Sequence, residues 1–363
     1  VSAPRWNLAP SNVDAALVEA AGARGTGPWT DAWRALRRNR VASFALWFLV
    51  GVGLVSALAP LLPLPSPVAL RLLDQPAPPT PPWTSFLEPG FVPEYWELGP
   101  IDRALVSVRQ SLFGDLQTAH WLGTDGKGRD LLSRIVWGSR TSIGVAWMAT
   151  LTSLLIGVTW GALAGLLGGR VDAWMMRVVD LLYSLPFVFL VIFLITIVNG
   201  WKDVLVGRFG IDREVLFYVS IGAVYWLTMA RVVRGQVLSL RRAEFVEAAR
   251  QMGASTPRIL FAHVVPNVLS IVIVYLTLSI PAVMLFESFL SFLGLGIEPP
   301  RVSWGLLAVD GADAINPLRV DWWLVAGPAA AMATTLLALN VLGDGLRDAL
   351  DPKLRARSGG TST

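Results

Sequence analysis

"ILFAHVVPNVLSIVIVYLTLSIPAVMLF", residues 259–286, runs its whole length without an Asp, Glu, Lys or Arg. A helix rises 1.5 Å per residue, so about 20 apolar residues cross roughly 30 Å of hydrocarbon. This stretch is long enough to span with residues to spare, and it decides the environment of the chain. Five more charge-free windows flank it, at 41–62, 141–169, 181–200, 215–230 and 322–343. The fourth window in the chain, 215–230, is short, and its boundaries are set less sharply than the others. Together they predict an all-α integral membrane protein with six transmembrane helices. Composition agrees: 54% of the 363 residues are apolar and 15% are charged, against about 25% charged in soluble domains. The first window follows a polar segment of forty residues and is long enough to span, which predicts a retained helix rather than a cleaved signal peptide.

Orientation follows from the basic residues. With the N-terminus inside, the inner segments carry 18 Lys and Arg against 10 acids, and the outer ones 12 against 16. The strongest determinant is Arg34, Arg37, Arg38 and Arg40, directly before the first span. Both termini are therefore expected in the cytoplasm, as tails 1–40 and 347–363, around a transmembrane core at 141–346. The Arg residues flank spans instead of lining one face, which argues against nucleic acid as a partner.

Between the first two spans lies an outer segment, 63–140, that begins Pro-rich and excludes regular helix there. Its later part has Leu105, Val108, Leu112 and Leu116 at helical spacing, which predicts a small outer subdomain. Within it, "GTDGKGRD" (123–130) resembles a phosphate loop but fails on spacing, because Lys127 is followed by Gly128 where a Ser or Thr would hold magnesium. A tight turn from Gly123 to Gly128 is expected, opening an interfacial helix near Arg129 with Leu131, Leu132, Ile135 and Val136 on its apolar side.

Catalytic constellations are missing from the sequence. There is no cysteine, and two histidines, His120 and His263, are too few and too distant for a His-based metal centre. No hydrolase or zinc-protease motif is present, and no carboxylate pair lies within a span to mark ion coupling. Asp180 is expected to pair with Arg177 at the inner interface, three residues earlier. Glu287 is expected to close the fifth span in a similar way.

One polar segment interrupts the apolar pattern, "EFVEAARQMGASTPRILFAHVVPN" at 244–267. Phe245, Ala248 or Ala249, and Met252 recur at helical spacing on one small apolar face, with Glu247 and Arg250 pointing elsewhere. Gly253 is expected to end this helix, and Ser255, Thr256 and Pro257 to start the next. The residues alone leave two readings open: an interfacial helix lying in headgroups, or a knob that docks into a groove of a cytoplasmic partner.

The segment also carries a resemblance. "EAARQMG" (247–253) followed by "HVVPN" (263–267) resembles the EAA motif of permease subunits of binding-protein-dependent ABC importers. "HWLGTDGKGRDLLSRIVWGSRTSIGVA" from His120, "ESFLSFLGLGIEPPRVSWG" from Glu287 and "GDGLRDALDPKLR" from Gly343 are similar to the C-subunit type of the dipeptide and oligopeptide permeases. The resemblance implies a type I ABC importer permease fold in a bacterial or archaeal cytoplasmic membrane. It implies a homologous permease subunit as heterodimer partner, two cytoplasmic ATPase subunits and an extracytoplasmic solute-binding protein. No cofactor is expected on this chain, with ATP and Mg on the ATPase subunits.

As implied site residues, Glu244, Phe245, Glu247, Ala248, Ala249, Met252, Gly253 and Pro266 couple to the ATPase. Gly123, Thr124, Asp125, Gly128, Arg129 and Asp130 form the outer family motif, and Glu287, Ser291, Gly294 and Gly296 an outer gate region. Pro186, Pro266 and Pro281 are candidate kink points. Peptide is the expected cargo, with nickel chelates, peptide-like antibiotics or glycosides as alternatives within the same architecture. An ion-coupled secondary transporter is disfavoured by the uncharged spans, and a membrane enzyme by the lack of a polar site.

Overall fold

Runs of Leu, Val, Ile and Ala form helices that pair their peptide groups internally, as lipid demands, and the chain is accordingly built on helices, with Pro281 and Pro328 tolerated inside two of them. The computed structural model describes residues 28–71, 76–91, 98–210, 213–315 and 320–350. The tails at 1–27 and 351–363, including most of the expected cytoplasmic termini, lie outside the described residues. The helices are α1 (Pro28–Arg38), α2 (Arg40–Ala57), α3 (Pro100–Phe113), α4 (Leu131–Leu167), α5 (Gly169–Tyr183), α6 (Phe187–Gly200) and α7 (Lys202–Phe209). They continue with α8 (Arg213–Leu240), α9 (Glu244–Gln251), α10 (Thr256–Ile259), α11 (Val265–Phe292), α12 (Trp304–Asp313) and α13 (Trp323–Leu350). Two short strands, β1 (Leu87–Pro89) and β2 (Leu116–Thr118), pair antiparallel in the segment between α2 and α4.

Among the described residues, five stretches are long and apolar enough to cross a membrane: α2, α4, α8, the run from α10 through α11, and α13. The pair α5 and α6 makes a sixth if taken as one span, bent by 93°. Pro186 stands at that bend as the residue before α6. It cannot donate a backbone hydrogen bond, and the residue ahead of it is pushed out of the helical region.

Several sequence expectations are corrected here. The proposed interfacial helix near Arg129 is the first part of α4, which runs unbroken for 37 residues, about 55 Å. Charges that ended the apolar window are neutralised by partners: Arg134 donates to Asp125 and Asp310, and Arg140 to Asp102. The expected third span at 181–200 falls within the bent pair, its first residues in the end of α5 and the rest in α6. Asp180 pairs with Arg231 of α8 at 2.7 Å instead of with Arg177. In α3 the expected apolar face is turned outward, Val108 and Leu112 being exposed, while Val106 and Arg109 are buried. The Arg109 guanidinium donates to the carbonyls of Leu62, Gly114 and Leu116 and covers the Phe91 ring at 3.2 Å.

At the centre, α4 and α8 pack backbone to backbone. A Cβ on Gly157 would meet Met229 Cβ at 2.6 Å, one on Gly165 would meet Val237 Cβ at 2.8 Å, and one on Gly161 would strike the Ala230 carbonyl. Small residues at this spacing are how membrane helices approach closely without a hydrophobic driving force between them. Around this pair one buried cluster gathers Val179, Val191, Ile221 and Leu290. A second, towards α9, gathers Val237, Val246, Ile259 and Val264. A third joins Leu131, Met284, Leu307 and Trp323.

Candidate coupling interface

The segment between α8 and α11 is built from local backbone chemistry. Glu244 and Glu247 stand in the first turn of α9 and Arg250 in its last, each on the side that the helix dipole favours. The helix stops at Gly253, whose φ of +77° is open only to glycine at little cost. Gly253 N–H donates to the Arg250 carbonyl and Ala254 N–H to the Ala249 carbonyl, both at 3.0 Å. That pair of bonds is the Schellman arrangement, which satisfies carbonyls left over at a helix end. Ser255 then takes an extended conformation ahead of α10, and Pro257 lies in the first turn.

Between α10 and α11 the chain makes one π-helical turn, Leu260–Val264, in which Val265 N–H reaches back to the Leu260 carbonyl. Pro266 follows at once in the first turn of α11. Proline has no N–H for the carbonyl four residues back and its ring crowds that carbonyl, so a widened turn next to it relieves both. The Asn267 amide donates to the His263 carbonyl within the same turn.

Burial divides the faces of α9. Val246 and Ala249 are buried, packed with Val237, Ile259 and Val264. Ala249 therefore anchors the helix to its own chain, and the expectation that it packs against a partner is corrected. Glu244, Glu247 and Ala248 are exposed, Phe245 is 39% exposed and Met252 80%. The helix is thus held by two small side chains and presents Phe245, Ala248 and Met252 outward with two carboxylates. Sequence periodicity missed Val246, whose i,i+3 relation to Ala249 was the available signal.

Behind α9, α8 is tied to α5 by ion pairs. Arg234 makes a two-bond fork with Asp172, one bond at 2.7 Å, and Arg231 bonds Asp180 at 2.7 Å while covering Tyr183 at 4.1 Å. Val246 and Ala249 of α9 share a buried cluster with Val237 of α8, so α9, α8 and α5 form one packed unit.

The outer motif residues are drawn together at the other end of α4. Asp125 accepts from the backbone of Lys127 and Arg129, from Arg129 Nε at 2.7 Å and from Arg134 Nη1 at 2.6 Å. Asp130 caps α4 by accepting from Ser133 N–H at 2.6 Å, and bonds His120 Nδ1 at 2.8 Å. Thr124 Oγ1 accepts from the Ala77 N–H and its carbonyl from the Trp323 indole. Gly123 and Gly128 both have positive φ, and a Cβ on Gly128 would strike the Arg71 carbonyl. These contacts join the motif to α4, α12 and α13.

The proposed gate residues also meet. Glu287 does not close its span, because α11 runs on to Phe292 and the side chain is buried. Its Oε1 accepts from Ser291 at 2.9 Å and from Ser303, the N-cap of α12, at 2.8 Å. Gly294 has φ +74°, and Gly296 lies so close to Ser291 that a Cβ would sit 2.5 Å from its Cα.

Comparison with known proteins follows this geometry. Residues 157–356 match the model of the binding-protein-dependent transport system inner membrane component. The chain belongs to this family. Residues 27–79 match the N-terminal transmembrane domain of oligopeptide transport permease C. The chain is 42% identical over 331 residues to the oligopeptide transport system permease protein OppC of Escherichia coli (strain K12), covering 91% of this chain and 93% of that one. It is 38% identical to the dipeptide transport system permease protein DppC of Bacillus subtilis (strain 168), over 90% of this chain and 86% of that one. A solved inward-facing MetNI methionine ABC transporter gives a TM-score of 0.44 at 19% identity, over 62% of this chain and 97% of that one, too loose a likeness to carry an argument.

The chain is thus a permease subunit of an ABC importer, an inner-membrane transport component and not an enzyme. ATP hydrolysis in such a system lies on separate subunits, and a solute-binding protein supplies the cargo.

Proposed function

We propose that this permease imports peptides, that α9 docks on a cytoplasmic ATPase subunit, and that a homologous permease completes the pathway as a heterodimer. In this reading both termini and α9 face the cytoplasm, while α3, the strands and the GTDGKGRD turn face outward to a solute-binding protein. The names of the OppC and DppC relatives support peptide as cargo.

The observation that carries the coupling role is the division of α9: Val246 and Ala249 hold it to the core while Phe245 and Met252 stay exposed beside Glu244 and Glu247. A helix resting on its own chain by two small residues, with larger apolar side chains turned to the aqueous side, is shaped for a groove. ATP-driven closure of two ATPase subunits would then bias the spans between access states by moving α9. Glu287, Ser291, Gly294 and Gly296 act at the outer gate, where α11 turns into α12.

The test is uptake of a labelled tripeptide by the complete importer in proteoliposomes. Glu247→Lys is expected to leave the permease in the membrane but to weaken ATPase association and uptake together. Normal association and uptake in this variant would defeat the coupling assignment, and tripeptide exclusion by the unaltered importer would defeat the cargo assignment.

A further inference from the structure

A cavity of about 310 Å³ opens between the N-terminal ends of α4 and α8, near the lower bound of the roughly 300–1,000 Å³ typical of small-molecule sites. Its wall carries charges of both signs, outside the glycine-lined contact of α4 with α8 and outside the segment around α9. Arg140 of α4 donates from Nη1 and Nη2 to Asp102 at 3.2 and 2.8 Å, a two-bond fork. Its guanidinium lies 5.2 Å from the centre of the Trp137 ring. Glu214 of α8 forms an ion pair with Arg301 and accepts from the Tyr218 hydroxyl at 3.2 Å.

The two ion pairs share one asymmetry. Arg140 and Glu214 stand on α4 and α8, the two long helices that glycines lock together further along their length. Asp102 stands in the first turn of α3, in the outer segment, and Arg301 on the irregular link between α11 and α12. Each of the two groups on these helices therefore holds an opposite charge borrowed from an element outside the central pair. The fork on Arg140 is the geometry in which a guanidinium binds any carboxylate. The seat on Glu214 likewise accepts a cation. Side-chain exposures of 30% for Arg140 and 26% for Arg301 leave both pairs open to the cavity.

We propose that this cavity is a transit site for the charged ends of a peptide. The C-terminal carboxylate takes the place of Asp102 on Arg140, and the N-terminal ammonium takes the place of Arg301 on Glu214. With the peptide bound, exchange of like for like gives Arg140 and Glu214 each a counter-charge, which avoids leaving either as a desolvated lone ion. Trp137, Tyr218 and Val302 offer apolar surface between the charges, so the site reads the constant ends of a peptide and tolerates its side chains. The inference rests on the peptide reading and on the outward placement of this end.

The experiment compares tri-alanine with its C-terminal amide and its N-acetyl derivative as substrates of the complete importer in proteoliposomes, with the same binding protein throughout. Because the binding protein is constant, a change of preference between variants belongs to the permease. Arg140→Gln is expected to lower the preference for free acid over amide about tenfold, and Glu214→Gln the preference for free amine over N-acetyl by a similar factor, as loss of a charge-assisted bond would. Should Arg140→Gln fail to assemble, Asp102→Asn removes the internal competitor and keeps Arg140. It is expected to strengthen the acid-over-amide preference severalfold. Unchanged preferences in these variants, with tri-alanine still imported, would overturn the site alone. Failure of the unaltered importer to take tri-alanine would overturn the peptide reading and the site with it.

Discussion

The run from α10 through α11 has a glycine turn beyond each end, and the two turns use the same backbone device for different purposes. At Gly253, φ is +77° and Ala254 N–H bonds the Ala249 carbonyl at 3.0 Å; at Gly294, φ is +74° and Leu295 N–H bonds the Leu290 carbonyl at 2.9 Å. A Cβ on either glycine would meet no heavy atom within 4 Å, but Met252 beside Gly253 is 80% exposed. Beyond Gly294 the chain folds back on itself, with Gly296 against Ser291 and Ser303 bonded to Glu287. The turn at Gly294 is closed by its own chain, whereas the turn at Gly253 is left open. That difference separates a structural joint from a surface shaped, in the proposed reading, for another protein.

Substitutions at the two turns should separate along this line, and the largest effect belongs to the closed one. Gly296→Val places methyl groups inside Ser291 and is expected to cost about 3 kcal/mol, an overpacking penalty. It would appear as a fall of several degrees in the apparent Tm of the detergent-solubilised protein; an unchanged Tm would mean that the turn at Gly294 is not closed. Glu287→Ala comes next, because it strips Ser291 and Ser303 of a shared acceptor. A loss of about 2 kcal/mol is expected in the same measurement, with Glu287→Gln retaining much of it through its amide oxygen.

At the open turn, Gly253→Ala meets no neighbour and carries only the left-handed backbone cost of about 1 kcal/mol. Its Tm should hardly move while peptide uptake falls, so equal losses of both would erase the distinction. Smallest of all for stability is Met252→Ala, expected within about 0.5 kcal/mol of the unaltered chain. Its effect should appear instead in the affinity of the permease for the ATPase subunit, measured by co-purification at graded detergent concentration.

The sequence made the membrane spans legible because lipid enforces one rule on every residue of a span, and charge-free windows follow from it. What it hid were the places where tertiary partners replace that rule. Helix α4 begins at Leu131 because Arg134 and Arg140 find carboxylates on α12, on the GTDGKGRD turn and on α3, which no window of hydropathy can contain. Arg109 is buried because three carbonyls from separate segments converge on it. In the coupling segment the turn at Gly253 and the restart at Pro257 were readable from residue type alone. The buried face was not, since eight residues with Phe245, Val246, Ala248 and Ala249 offer apolar side chains on both sides and only packing chooses between them.

In the proposed reading the exposed side of α9 meets an ATPase on the cytoplasmic side, and the chain's lack of cysteine makes this directly testable. Met252→Cys and Trp83→Cys, both at highly exposed positions, can each be treated with a membrane-impermeant maleimide in sealed vesicles of either orientation. The expected result is labelling of Met252→Cys only from the cytoplasmic side, with protection when the ATPase subunit is bound, and labelling of Trp83→Cys only from the opposite side regardless of ATPase. Labelling of both from one side, or of Met252→Cys equally with and without the ATPase, would contradict it.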